Sequence, residues 1–117
     1  MGFRSDMPIY LQISMQLKEK ILNGEYNNDD KLPSVRELSV IYEVTALTIQ
    51  RALAQLELEG VIYSKKGVGS FVKPGCHLHL EQQMVIEKTK EYVNNMKNLG
   101  LRDNDIFELI KGVIKNE

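Results

Sequence analysis

Apolar positions recur at helical spacing in three stretches of the first sixty residues, and then the period changes. Tyr10, Ile13, Leu17 and Ile21 form one stripe, spaced as the buried side of a helix that ends at Gly24. Pro8 suits the first turn of that helix. A second, shorter stripe comprises Val35, Leu38, Ile41 and Tyr42. Pro33 stops any preceding helix, and Ser34 with Glu37 has the spacing of a capping box, in which each side chain bonds the other residue's amide. Glu43-Val44 makes a turn, with Val44 directed into the core. Thr45 caps a third helix that runs to about Glu59 and stops at Gly60, with Ile49, Ala52, Leu53 and Leu56 on its inner side.

β-favouring runs follow, Val61-Ile62-Tyr63 and Phe71-Val72, joined by Lys65-Lys66-Gly67-Val68-Gly69-Ser70. Two helices across a tight turn and then a glycine-tipped hairpin are the sequence form of a winged helix-turn-helix. The outward side of the third helix carries Leu47, Gln50, Arg51, Ala54 and Gln55, with Thr48 at its edge. Small and hydrogen-bonding side chains with one arginine suit a major groove; bulky acids there would repel phosphate, and Glu57 and Glu59 come only at the far end. The plainer reading of that side is a solvated helix face, and of the hairpin a generic solvated turn. The first helix is expected across the back of the reading pair, completing a three-helix core. Met1 to Met7 reads as a flexible lead, and Asn27-Asn28-Asp29-Asp30 as turn chemistry within a polar loop.

Lys73-Pro74-Gly75 breaks the second strand and marks a boundary. Beyond it lie two more helical stretches. One spans about His79 to Leu99, with Met84, Val85, Tyr92, Val93, Met96 and Leu99 apolar, and ends at Gly100. The other starts at an Asp103 cap and runs to about Lys115. It carries Ile106, Phe107, Leu109, Ile110, Val113 and Ile114, an apolar arc wider than one partner helix covers. A two-helix hairpin has no interior of its own, and each such side chain gains roughly 1.5–3 kcal/mol on full burial. A second copy covers the arc most simply, so Tyr92, Met96 and these six residues are the expected homodimer interface. Packing back onto the same chain is the plainer alternative, and a membrane-surface helix is disfavoured by a polar side that is mixed rather than basic. The fold class is therefore α+β and mostly helical: a winged helix-turn-helix over residues 1–75 and a helical hairpin for dimerisation over residues 76–117.

Composition changes this picture in one respect. The chain has 117 residues and a formal net charge of -1, and residues 1–75 hold nine Lys or Arg against nine Asp or Glu. Total charge gives no support for nucleic-acid binding, so the case rests on distribution: Arg36, Arg51, Lys65 and Lys66 gather on the reading head. Non-specific affinity for DNA should be modest and discrimination left to base contacts. The single cysteine excludes an internal disulfide and fits a reducing cytoplasm. No signal peptide is visible, and no apolar run approaches the ~18 residues of a membrane span.

The segments LPSVREL, VTALTIQRA, LELEGVI and GVGSFV, with PIYLQI before them, resemble the DNA-binding domain of the GntR family of bacterial transcriptional regulators. The short remainder resembles the YtrA-like subfamily, in which a small helical hairpin replaces a large effector domain. The resemblance implies that Arg36 contacts DNA near the start of the first reading helix, and that Thr45, Thr48, Gln50 and Arg51 face the operator. It also implies that Gly67 or Gly69 approaches the minor groove beside Lys65 and Lys66. Relatives of the short subfamily often carry Asn-Pro-Asn where this chain has Thr45-Ala46-Leu47; Leu47 offers a surface for a thymine methyl but no hydrogen bond to a base edge. Half-sites of the GT…AC kind, and control of an adjacent transporter operon, are further implications of the resemblance.

Cys76, His77 and His79 are the only cluster of metal-ligand types, and a weak one, because two or three ligands need completion from elsewhere. No paired-carboxylate, nucleophile–histidine or phosphate-loop constellation is present, so no enzyme and no cofactor are expected. The sequence reads as a cytoplasmic regulator that binds double-stranded operator DNA as a homodimer over an inverted repeat, most simply a repressor that occludes a promoter. The alternatives are a winged-helix protein-interaction module that reads no DNA and a metal-responsive regulator. Any small-molecule effector would have to act at the dimer interface or the hinge, since no large ligand-binding domain is present.

Overall fold

The computed structural model describes residues 2–116. The helices are α1 (Ile9–Leu22), α2 (Val35–Tyr42), α3 (Ala46–Leu58), α4 (His77–Asn98) and α5 (Asp103–Lys115), and the strands β1 (Ile62–Lys65) and β2 (Gly69–Val72) lie between α3 and α4. Two compact units divide at Glu81 and Gln82, inside α4 and beyond the Pro74-Gly75 break.

In the first unit the spacing of apolar residues sets the packing. Ile13, Leu17 and Ile21 of α1, Leu38 and Tyr42 of α2, and Ile49, Ala52 and Leu56 of α3 are buried together with Val61, Ile62, Val72 and Leu80. α1 lies chiefly against α3, and Lys18 at its side pairs with Glu59 at 2.6 Å. Several expectations for this core change. Ile41 is half exposed, lying a ~100° step around α2 from Tyr42 at the margin of the buried side, and Tyr10, Val35, Val44 and Leu53 are only partly buried. Leu32, outside every helix, takes a core position instead.

The helix ends follow their local chemistry. The Ser34 hydroxyl accepts from the Glu37 amide at 3.1 Å and the Glu37 carboxylate accepts from the Ser34 amide at 3.2 Å, a complete capping box. Thr45 accepts from the Thr48 amide at 3.2 Å. α3 ends with Val61 donating to the Leu56 carbonyl and Gly60 to that of Glu57, and α4 repeats the pattern with Leu101 to Met96 and Gly100 to Lys97. Both are Schellman motifs with glycine in the left-handed position. α2 ends the same way, with Val44 donating to Ser39 and Glu43 to Val40, but there the left-handed residue is Glu43, at φ 56°. At α5 the expected cap shifts by one residue. Arg102 is the cap residue, its amide bonded to the Asp105 carboxylate at 2.9 Å, and Asp103 is the first helical residue.

Two stretches are more ordered than their sequence suggests. Gln12 is buried and bonds the Arg4 amide at 2.8 Å and the Arg4 and Met7 carbonyls at 2.7 Å, so the lead folds onto α1; Met1 lies outside the described residues. The loop before α2 makes the expected turn, with Asp30 donating to the Asn27 carbonyl, and then runs along the outer edge of β2. Asp29 donates to Val72 at 2.8 Å, Val72 to Asp30 at 3.0 Å and Leu32 to Ser70 at 2.9 Å, with Lys31 bridged to Phe71.

In the second unit Met84 and Ile106 are buried, whereas Val85, Ile86, Leu99, Phe107, Val113 and Ile114 are each more than half exposed. α4 and α5 make few close backbone approaches to one another. Ile106 was expected with the exposed arc but turns inward.

A left-handed residue with a Cβ is disfavoured by about 1 kcal/mol relative to glycine. Glu43→Gly should therefore raise the unfolding free energy by about that amount, read from the urea midpoint at unchanged slope. Bonds from the Ser34 amide and then the Ser34 hydroxyl hold the Glu37 carboxyl below its ordinary value. With the folded pKa depressed, the cap contributes stability above the carboxyl's ordinary pKa and loses it as pH falls through the folded value. Ser34→Ala should lower stability at neutral pH by about 1 kcal/mol and move the Glu37 titration, followed by side-chain NMR, upward.

Candidate nucleic-acid interface

The first unit presents the outer side of α3, the start of α2 and the hairpin as one folded body. Along α3 the side chains of Leu47, Gln50 and Arg51 are exposed, while Thr48 is half-buried. The Thr45 and Thr48 hydroxyl oxygens lie 3.0 Å apart, so the two side chains order each other at the helix start. Arg51 lines a shallow depression with Tyr10, Ala54, Gln55 and Leu58. Arg36, in the first turn of α2, is exposed.

Acidic groups at the far end of α3 are engaged locally. Glu59 accepts from Lys18 at 2.6 Å and from Gln55 at 3.1 Å, and Glu57 accepts from Ser64 at 3.2 Å. Gln55, expected on the outward face, is half-buried and committed to Glu59. What the face offers a ligand is thus Leu47, Gln50, Arg51 and the two threonines, with no carboxylate among them.

The hairpin pairs Ile62 with Val72, Tyr63 with Phe71, Ser64 with Ser70 and Lys65 with Gly69. Val68 donates to the Lys65 carbonyl at 2.9 Å, closing a turn whose third residue, Gly67, has φ 77°, as a type II turn requires. Lys65 and Lys66 are exposed beside it. The Tyr63 and Phe71 rings stack 5.5 Å apart at 19°, and the Lys65 ammonium lies 4.9 Å from the Phe71 ring centre. Tyr63 donates its phenolic proton to Asp29 at 2.7 Å, which holds the phenol above its ordinary pKa. This stack stiffens the ribbon that carries the lysines. The sequence reading missed Asp29 and Lys31 as parts of the hairpin; the β-bridge that brings them there leaves no local signal.

Cys76, His77 and His79 are not brought together as a three-ligand group. Among the described residues no three histidine, cysteine, aspartate or glutamate side chains are grouped as a bound ion needs. Burial raises the Cys76 thiol pKa, which disfavours the thiolate a metal would take. Among the described residues no helix is long and apolar enough to cross a membrane.

The family model for bacterial regulatory proteins of the gntR family matches residues 9–72. The HTH-type transcriptional repressor YtrA of Bacillus subtilis is 34% identical over 113 residues, which cover 94% of this chain and 87% of YtrA. A solved GntR family transcriptional regulator from Listeria monocytogenes is 35% identical and superposes with a TM-score of 0.82, covering 94% of this chain and 98% of that one. The AraR DNA-binding domain, solved in complex with operator ORX1, is 32% identical with a TM-score of 0.57 over 62% of this chain and 89% of that domain. The matched residues run from α1 to the end of the hairpin, and the Listeria protein extends the likeness into the second unit. The chain belongs to the GntR family and is a winged-helix transcriptional regulator, not an enzyme.

Proposed function

We propose that this regulator is a cytoplasmic repressor that binds an inverted-repeat operator as a homodimer, with α3 in the major groove and the hairpin tip over the adjacent minor groove. The observation that carries the reading is the outer face of α3, carboxylate-free from Leu47 to Leu56, standing on the same folded unit as a stiffened, lysine-bearing wing. Gln50 and Arg51 have the donors to read base edges, Leu47 the surface for a thymine methyl, and Thr45 and Thr48 hydroxyls for bases or phosphate. Arg36, Lys65 and Lys66 supply charge to the phosphates on either side, and Gly67 lets the tip approach the groove floor. The operator complex of the AraR domain and the repressor YtrA support this assignment.

The homodimer rests on the second unit. Phe107, Val113 and Ile114 are exposed by 63%, 52% and 71% and share one short helix with Leu109 and Ile110. Burying such residues against a second copy is favourable by roughly 25 cal/mol per Å² of apolar surface. Tyr92 and Met96 of α4, both half-buried, are placed in the same interface. A twofold through it would present two reading helices to successive major grooves, hence the inverted repeat.

Selection of bound duplexes from random DNA by the purified chain, near physiological salt, tests the reading directly. An inverted repeat should be enriched; folded protein that enriches nothing would point to a winged helix that reads no DNA. Arg51→Ala and Arg36→Ala should each weaken binding of the selected duplex about ten- to a hundredfold, the range expected of a single base or phosphate interaction, with unchanged thermal melts. Phe107→Glu should shift the chain from dimer to monomer in sedimentation equilibrium; a dimer that survives it would place the interface elsewhere.

A further inference from the structure

We infer that Lys31 is a third lysine of the wing, making a DNA phosphate contact beside Lys65 and Lys66, with its stem laid against Gly69, whose φ of 146° itself calls for glycine. The inference rests on the operator-binding reading above and adds a residue to it. Lys31 precedes α2 and is remote from the hairpin in sequence, yet it is bridged to Phe71, which is paired in turn with Tyr63. Residues paired across strands project to the same face, as do residues two apart along a strand. Lys31, Tyr63, Lys65 and Phe71 therefore share the outer face of the ribbon, opposite the buried Ile62 and Val72. The Lys65 ammonium over the Phe71 ring agrees with that assignment.

The two wing glycines then separate by role. Nothing lies within 4 Å of a Cβ built on Gly67, so the tip is open to a groove. A Cβ on Gly69 would stand 2.9 Å from Lys31 Cε and 3.8 Å from its Nζ. The Lys31 stem thus occupies the space that the missing side chain leaves. A stem laid on the ribbon has less rotamer freedom to lose when its ammonium meets a phosphate. The carboxylates near it are otherwise engaged, Glu37 in the capping box of α2 and Asp29 by the Tyr63 hydroxyl. Lys31 also contributes to holding the Glu37 carboxyl ionised, which sets its charge close to the start of α2.

A phosphate contact is read from the salt dependence of binding, because each neutralised phosphate adds about 0.9 to the steepness of log K against log salt. The full chain would be titrated with its selected duplex and with a random duplex of equal length over a salt series. Lys31→Gln should flatten the slope by about 0.9 per bound chain and weaken both duplexes alike, while Lys31→Arg keeps the wild-type slope. Circular dichroism melts check that each variant is folded. An unchanged slope in folded Lys31→Gln, or a weakening confined to the selected duplex, would overturn the inference while leaving operator binding intact. Failure of the unaltered chain to bind either duplex would overturn the operator-binding reading and this inference with it.

Discussion

Three backbone hydrogen bonds between residues 29–32 and β2 hold the reading head in one piece. A two-stranded ribbon is marginal in water by itself, and its outer edge is a row of unpaired amides and carbonyls. Here the chain entering α2 covers that edge, with Asp29 and Leu32 donating to β2 and Asp30 accepting from it. Because Ser34 caps α2 two residues after Leu32 enters the core, the same pairing fixes where the helix starts. The wing and the helix-turn-helix are thereby set at one distance from each other, a condition for engaging two grooves at once. Tyr63 adds a side-chain tie across the same seam through Asp29.

That seam also marks the limit of what the sequence discloses. Helix starts and stops are written locally, so Ser34 with Glu37, Thr45, Gly60 and Gly100 placed the elements well. The core stripe of α1 and the inner side of α3 follow from period alone, apart from Tyr10 and Leu53, which are only partly buried. Edge pairing between residues 29–32 and 70–72 joins segments far apart in the chain, and neither composition nor period records it. Lys31 and Asp29 consequently read as loop residues, and Leu32 as a mere neighbour of proline. Ile41 departs for a different reason: it lies a ~100° step around α2 from Tyr42, at the margin of the buried side, where period alone leaves burial undecided. Glu43 is a further local surprise, since the left-handed position that ends α2 usually carries glycine.

The second unit shows how far an apolar pattern reaches. The excess of apolar residues on α5 was legible, and their exposure in the single chain agrees with it. Ile106 alone of the six turns inward, which leaves Phe107, Leu109, Ile110, Val113 and Ile114 as the surface to be covered. That exposed apolar side of α5 is the surface the proposed homodimer would cover.

Charge gives the last step. A head with equal numbers of acidic and basic residues has no long-range claim on DNA, yet its carboxylates are not spread evenly. Glu59 is held by Lys18 and Gln55, Glu57 by Ser64, Glu37 in the α2 cap and Asp29 by Tyr63. Each of these acids is thereby tied to the protein's own framework, and Glu57 and Glu59 stand at the far end of α3 from Thr45 and Thr48. At ordinary ionic strength fields are screened beyond roughly 8–10 Å, so a phosphate at the head responds to the nearest charges and not to the total. Hydrogen bonds from neutral donors leave Glu57, Glu37 and Asp29 charged but fix where those charges sit, and among the described residues only Glu59 of the four is paired with a cation. In the proposed reading, arginine and lysine at the rim meet the phosphates while the near-zero total charge favours weak sequence-independent affinity.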